Sequence, residues 1–130
     1  SYIKGELADF LVEQRAINIH AGVSPYYSGN SCNFWAMFDN RPDLVGVTLQ
    51  LLSKNLDQGD ILHISKPKFN NNSYIFTMSS IKSGIDDLCK KIKFKNLYKN
   101  RIKQNKKENI RTTKRSDLTQ KILLNYLKKI

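Results

Sequence analysis

Three polar side chains have the types and the spacing needed to move a proton and to stabilise a negative charge. Asn18 and His20 are two residues apart in an otherwise apolar stretch, so on a β-strand they point to the same face. A histidine exchanges a proton near neutral pH, and an amide N–H group stabilises a developing oxyanion. Asp57 lies in a Leu-Asp-Gln-Gly-Asp loop and supplies a carboxylate that can orient an imidazole. Beside a glycine, the same aspartate is also typical of a simple turn.

The elements around these residues indicate an α/β fold. Strand, helix and strand alternate at the start of the chain, which predicts a parallel sheet with Asn18 and His20 near its carboxyl edge. On the opposite face of that strand, Ile17 and Ile19 are expected to point into the core. The predicted elements are a strand tail over 1–3, a helix over 4–14, a strand over 15–20, a helix over 33–40, a strand over 44–53, a returning antiparallel strand over 60–69, a helix over 74–94 and a last helix capped by Ser116.

The polar residues and the loops between them resemble one known family. Asn-Ile-His, a Ser-Pro loop, Val-Gly-Val-Thr and Leu-Asp-Gln-Gly-Asp follow one another as they do in the folate-dependent formyltransferases, which include the methionyl-tRNA and glycinamide ribonucleotide formyltransferases. One branch of the family is more similar than the others, namely the branch that formylates amino groups on nucleotide-linked sugars. The similarity is in the sequence from Asn18 through Ser24-Pro-Tyr-Tyr to Cys32-Asn-Phe-Trp-Ala. The resemblance covers roughly residues 2–92 and, more loosely, residues 110–127.

The resemblance implies a set of site residues and a formyl donor. Asn18, His20 and Asp57 match the catalytic set of the family, formyltetrahydrofolate would be the donor, and no metal is required. The residues that match the donor-binding loop are Leu52, Ser53, Lys54, Asn55 and Leu56, and those that match the acceptor-side loop are Gly22, Ser24, Pro25 and Tyr26. This second loop departs from the family pattern at Ser28, where relatives commonly have an arginine before the glycine.

The resemblance also implies that the chain is the C-terminal half of a Rossmann-like formyltransferase domain, followed by a basic arm and a helix. We therefore expect residues 1–95 to belong to the catalytic domain, without its N-terminal half, and residues 96–130 to form a basic linker and a C-terminal helix. The apolar run over 44–52 would then lack a cover on one face. We expect the chain alone to be inactive, and aggregated or molten.

The charge of the chain is concentrated in its second half. Residues 1–65 carry 4 Lys and Arg against 7 Asp and Glu, whereas residues 66–130 carry 18 against 4. A basic segment over 90–115 is typical of a solvated linker or an anion-binding arm. Because 17 of the 22 basic residues are lysines and asparagine and isoleucine are also abundant, the composition of a low-GC genome is the alternative explanation.

Several classes of protein are excluded by composition. No apolar run approaches the ~20 residues of a membrane helix, and no signal peptide is recognisable. Cys32 and Cys89 are isolated, which favours reduced thiols in the cytoplasm.

Three functions remain open. The first is formyl transfer to a nucleotide-linked amino sugar, which serves lipopolysaccharide biosynthesis in this branch, with a small-molecule partner, no nucleic acid and a possible homodimer. The second is a methionyl-tRNA formyltransferase-like enzyme, and the third is a truncated, non-catalytic remnant.

Overall fold

A three-stranded sheet carrying one long helix forms the centre of the computed structural model, which describes residues 3–130. The predicted strand tail falls mostly on Ser1 and Tyr2, which lie outside the described residues, and Ile3 is not in a strand. The helices are α1 (Gly5–Glu13), α2 (Cys32–Phe38), α3 (Ser73–Lys93) and α4 (Gln120–Leu127), and the strands are β1 (Ile17–His20), β2 (Tyr27–Gly29), β3 (Val47–Leu51), β4 (Ile61–Ser65) and β5 (Arg111–Thr113).

The strands of the central sheet are antiparallel neighbours in the order β1-β3-β4. The predicted return of β4 beside β3 is confirmed, but the parallel pairing expected of the strands before it is wrong. Ile17 pairs with Leu51 and His20 with Thr48, so β3 starts beside the end of β1. Parallel neighbours need a long crossover that carries the chain back to the other end of the sheet. Here the seven-residue helix α2 and its loops do not make that return.

The middle strand β3 is buried along its whole length. Val47, Leu49 and Leu51 alternate onto the face that packs with Ile81 and Leu88 of α3. On the other face, Thr48 and Gln50 are covered by the chain that follows β1. The expectation that this run has no cover on one face is therefore wrong. By contrast, β1 has no strand on its outer edge among residues 3–130, and Ile19 is 44% exposed.

The long helix α3 approaches the sheet most closely at a glycine. A Cβ atom on Gly84 would lie 2.5 Å from Cγ1 of Val47, so the helix backbone sits directly on β3. Ser80 is also buried and accepts a hydrogen bond from Asn33 (2.9 Å). Apolar residues recur along α3 at helical spacing, but only some of them are covered. Ile81 and Leu88 pack against the core, whereas Met78 and Ile85 are about half exposed.

The basic segment is attached to the sheet rather than solvated throughout. Leu97 is buried in the core, Ile102 exchanges two backbone hydrogen bonds with Ile61, and β5 pairs in parallel with β2. The interpretation of this stretch as a solvated linker is therefore wrong at these points. The division of the chain after residue 95 stays a prediction.

The last helix begins later than the sequence indicated. Ser116 lies in a short 3-10 turn, Arg115–Asp117, and the hydroxyl of Thr119 caps α4 by accepting from the backbone N–H of Ile122 (3.3 Å). No helix in the described range is long and apolar enough to cross a bilayer.

Candidate active site

The polar face of the sheet holds two of the three predicted catalytic residues. Asn18 and His20 lie on β1 opposite Gln50 and Thr48 of β3, so four polar side chains share one face. This pattern arises because both strands alternate polar and apolar residues in matching register. The sheet thus presents a polar patch on the side away from α3.

Asp57 joins this patch although it follows β3 by six residues. The loop after β3 turns back over the sheet, and Gly59 allows the turn because a Cβ there would collide with the carbonyl oxygen of Leu51 at 1.6 Å. The carboxylate of Asp57 accepts hydrogen bonds from Asn18 Nδ2 (3.2 Å, on Oδ1) and from the backbone N–H of Gly29 (2.8 Å, on Oδ2). Its side chain is only 7% exposed. The three predicted catalytic residues therefore form one cluster.

Both ring nitrogens of His20 have a neighbour. Nε2 lies 2.9 Å from the carbonyl oxygen of Tyr27, and because a carbonyl only accepts, Nε2 must carry a proton. Nδ1 lies 3.4 Å from Oδ1 of Asp57. Nδ1 is therefore the ring nitrogen that remains available to accept a proton.

Two glutamines that sequence reasoning missed complete the cluster. Gln50 is 1% exposed, and its Oε1 accepts hydrogen bonds from the Ser24 hydroxyl (3.0 Å) and from Gln104 Nε2 (3.1 Å). Its own Nε2 is buried and has no hydrogen-bond partner. A signal for Gln50 existed, since it is a polar residue in the middle of an apolar strand. None existed for Gln104, which lies in a basic, apparently irregular segment.

The thiol of Cys32 lies beside the cluster but is not a nucleophile. Burial, and then the negative charge of Asp57, raise its pKa to about 12. Gly22 makes room for this thiol, since a Cβ there would lie 2.5 Å from Cβ of Cys32 and 2.7 Å from Nε2 of His20. The thiol therefore stays protonated at neutral pH.

An open cavity of about 880 Å³ adjoins the cluster and continues around the free edge of β1. Asn18, His20, Gln50 and Asp57 line it, together with apolar side chains such as Ile19, Tyr74, Met78 and Ile81. Lys114 is the one lysine or arginine among its described lining residues. Volume and lining suit an organic ligand with a flat ring and an anionic group.

The predicted donor-binding loop borders this cavity, with one exception. Leu52, Ser53, Asn55 and Leu56 line it, whereas Lys54 points away and forms an ion pair with Asp9 (2.9 Å). Their role as donor-binding residues stays a prediction.

The predicted acceptor-side residues do not line the cavity. Gly22, Ser24, Pro25 and Tyr26 are not among the lining residues. Ser24 is buried, with its backbone N–H donating to the Thr48 hydroxyl (3.0 Å). The acceptor-binding role of these residues stays a prediction. The cavity wall is made instead by Gly29, Asn30, Thr113 and Lys114, from the paired β2 and β5 and the residues beside them.

Comparison with known proteins identifies the fold. No protein-family profile matches the chain. The formyltransferase PseJ from Anoxybacillus kamchatkensis, solved with UDP-4,6-dideoxy-4-formamido-L-AltNAc and tetrahydrofolate, superposes with a TM-score of 0.67 at 24% identity over 90% of this chain. A 4-N formyltransferase from Francisella tularensis superposes with a TM-score of 0.69 at 24% identity over 91% of this chain. The fold is that of a formyltransferase.

The formyltransferase fold is matched in part. The chain spans 61% of the Anoxybacillus protein and 54% of the Francisella protein. In sequence, a methionyl-tRNA formyltransferase from Desulforamulus reducens is 37% identical over 46 residues, which are 35% of this chain and 14% of that protein. The predicted fold class, part of a Rossmann-like formyltransferase domain, is confirmed. Within residues 3–130, no group of three or more potential metal ligands is present.

Proposed function

We propose that this chain carries the catalytic site of an enzyme that transfers the formyl group of formyltetrahydrofolate to the amino group of a nucleotide-linked sugar. The observation that supports this most directly is the convergence of Asn18, His20 and Asp57 at one side of an open cavity. Formyl transfer needs a donor for an oxyanion and a group that accepts a proton, and this cluster supplies both.

The reaction divides into two steps, addition and collapse. The amine nitrogen attacks the formyl carbon, a C–N bond forms, and the carbonyl oxygen becomes an oxyanion. Asn18 uses one N–H on Asp57 and has a second N–H to donate to that oxyanion. Nδ1 of His20 takes the proton from the attacking amine, and Asp57 stabilises the imidazolium. When the intermediate collapses, the carbonyl double bond re-forms, the C–N bond to tetrahydrofolate breaks, and the His20 imidazolium returns its proton to the departing nitrogen.

The nature of the cavity supports these two substrates. Ile19, Tyr74 and Met78 supply an apolar wall on which a pterin ring can stack, and Lys114 supplies a cation for the phosphates of a nucleotide sugar. The Anoxybacillus structure holds tetrahydrofolate and a nucleotide-linked formamido sugar. We place the reaction in the cytoplasm, in the synthesis of a lipopolysaccharide sugar, and we expect a homodimer.

Substitution of the cluster tests the proposal. The protein is assayed as these 130 residues and also joined to the N-terminal half of a formyltransferase domain, with formyltetrahydrofolate and a UDP- or dTDP-linked amino sugar. In the joined protein, His20→Ala, Asn18→Ala and Asp57→Asn should each lower turnover at least ~100-fold. His63→Ala is the matched control, because this second histidine lies outside the cavity lining and pairs with Asp87. Turnover by His20→Ala close to that of the unsubstituted protein would rule out the proposed role of this histidine.

A tRNA acceptor is the second candidate, favoured by the local identity to the Desulforamulus enzyme and by the basic residues 90–115. Several phosphate contacts would make affinity fall steeply with salt, with a slope beyond about −4 on logarithmic axes. For an amino sugar as acceptor we expect only a modest salt dependence. Formylation of charged tRNA together with the steep slope would replace the first candidate by the second.

A further inference from the structure

We propose that Gln104 is a positioning residue for Asp57, so that the basic segment is a working part of the catalytic site. The hydrogen-bond geometry supports the positioning of Asp57 by Gln104. The consequence for catalysis rests on the proposed function. Gln104 Nε2 lies 2.9 Å from the carbonyl oxygen of Asp57, 2.6 Å from that of Gly59 and 3.1 Å from Gln50 Oε1. Its two N–H groups thus serve three acceptors, which belong to both the loop and the sheet.

The loop that carries Asp57 needs such support. Asp57 has a φ of 51°, in the left-handed region, which Asp tolerates better than most residues with a side chain but which is still less favourable than the common backbone conformations. Hydrogen bonds to its main chain help to hold it there. Gln104 bonds directly to the main chain of Asp57, and the position of that main chain decides where the carboxylate meets Asn18 and His20.

Gln104 is itself held in place from both sides. Before it, Arg101 pairs with Asp60 (2.6 Å) and Ile102 exchanges backbone hydrogen bonds with Ile61. After it, β5 pairs with β2, the strand whose Gly29 N–H donates to the Asp57 carboxylate. The segment therefore closes a ring of contacts around Asp57.

The same amide fixes the orientation of Gln50. Because Gln104 Nε2 and the Ser24 hydroxyl both donate to Oε1 of Gln50, the Nε2 group of Gln50 must point away from both. Gln50 lines the cavity beside Asn18, so the basic segment also holds a side chain of the cavity wall in place.

Amide exchange tests the positioning role without an activity assay. The N–H of Gly29 donates to Asp57 Oδ2, so its hydrogen exchange reports the position of that carboxylate. In Gln104→Ala and in the isosteric Gln104→Glu, which removes both donors, Gly29 exchange should rise tenfold or more while the amide of buried Leu49 changes less than twofold. Lys103→Ala, the exposed neighbour, is the control and should leave both unchanged. A Gly29 change below twofold, or an equal rise at Leu49, would overturn the proposal.

Kinetics in the joined protein then test the catalytic consequence. Gln104→Ala should lower kcat tenfold or more and change the KM for formyltetrahydrofolate less than threefold. In an Asp57→Asn background the same substitution should lower kcat less than twofold, because a residue that acts through the carboxylate of Asp57 has no effect once that carboxylate is gone. Multiplicative losses would overturn the proposal. Absence of turnover in the unsubstituted joined protein would remove the proposed function, and Gly29 exchange would still decide whether Gln104 positions Asp57.

Discussion

At the scale of single residues, the cluster separates a group that exchanges protons from one that does not. His20 and Cys32 both lie within reach of Asp57, and both are buried. Burial first, and then the charge of Asp57, oppose the formation of a thiolate at Cys32. By contrast, Nδ1 of His20 is free to accept a proton because Nε2 makes the hydrogen bond to the carbonyl of Tyr27.

The two cysteines should accordingly differ in reactivity. With its pKa at about 12, Cys32 is a thiolate in about one molecule in ten thousand at pH 8, whereas Cys89 is exposed. Iodoacetamide at pH 8 should modify one thiol of the folded chain and two after denaturation, as counted by mass spectrometry. In a Cys89→Ser variant, the folded chain should gain no label. Rapid labelling of Cys32 in the folded chain would contradict the burial of this thiol.

Site residues can be predicted from the sequence when the residues they contact are close in the chain, and less readily when those residues are distant. Asn18 and His20 share a strand, and a two-residue spacing is enough to place them together. Asp57 required the matching loop motif. Gln104 binds Gln50 from 54 residues away, and no local pattern encodes a hydrogen bond between such distant positions.

At the scale of elements, one carboxylate joins α3 to β4. Asp87 accepts hydrogen bonds from the Ser65 hydroxyl (2.7 Å) and from His63 Nε2 (2.9 Å). The Ser65 bond first, and then His63, hold the pKa of Asp87 below its usual value. A carboxylate whose pKa is lowered on folding stabilises the protein above the unfolded value of about 4, and this contribution is lost as the pH falls through the folded value.

Asp87→Asn should therefore destabilise the protein at neutral pH and much less in acid. We expect a loss of about 1 kcal/mol at pH 7, at the low end for a charged hydrogen bond because the carboxylate is a third exposed. Urea unfolding at pH 7 and pH 3 measures this difference. Asp86→Asn is the neighbouring control, since Asp86 pairs with Lys82 on the surface. An equal loss at both pH values would mean that the charge of Asp87 is not involved.

The elements themselves were largely predictable, and their packing was not. Helical spacing located α1 and α3, but of the apolar residues spaced along α3, Ile81 and Leu88 pack on the sheet whereas Met78 and Ile85 are about half exposed. Gly84 lets the helix approach Val47 of β3 closely. Periodicity reports which residues share a face and cannot tell which partner will cover it.

At the scale of the whole molecule, apolar area is left uncovered beside the cavity. Ile19 of β1 and Met78 of α3, which line the cavity, are 44% and 53% exposed, and Ile85 on the same helix is 47% exposed. Single exposed apolar residues are ordinary, but several near one another mark a surface that another part of a protein covers. In the solved formyltransferases, 39% or more of the chain lies outside the part matched here.

We therefore expect these 130 residues to fold around β3 and α3 but to self-associate and to show no formyl transfer alone. Because β3 is covered on both faces, amide resonances of the sheet should be dispersed rather than molten. Sedimentation and binding of a hydrophobic dye measure the association, and both should fall when the N-terminal half-domain is joined. Ile85→Gln should weaken the association, whereas Lys82→Gln on the same helix should not. A monomer without dye binding that formylates an amino sugar nucleotide would show that this surface needs no cover and that the site is complete in the chain.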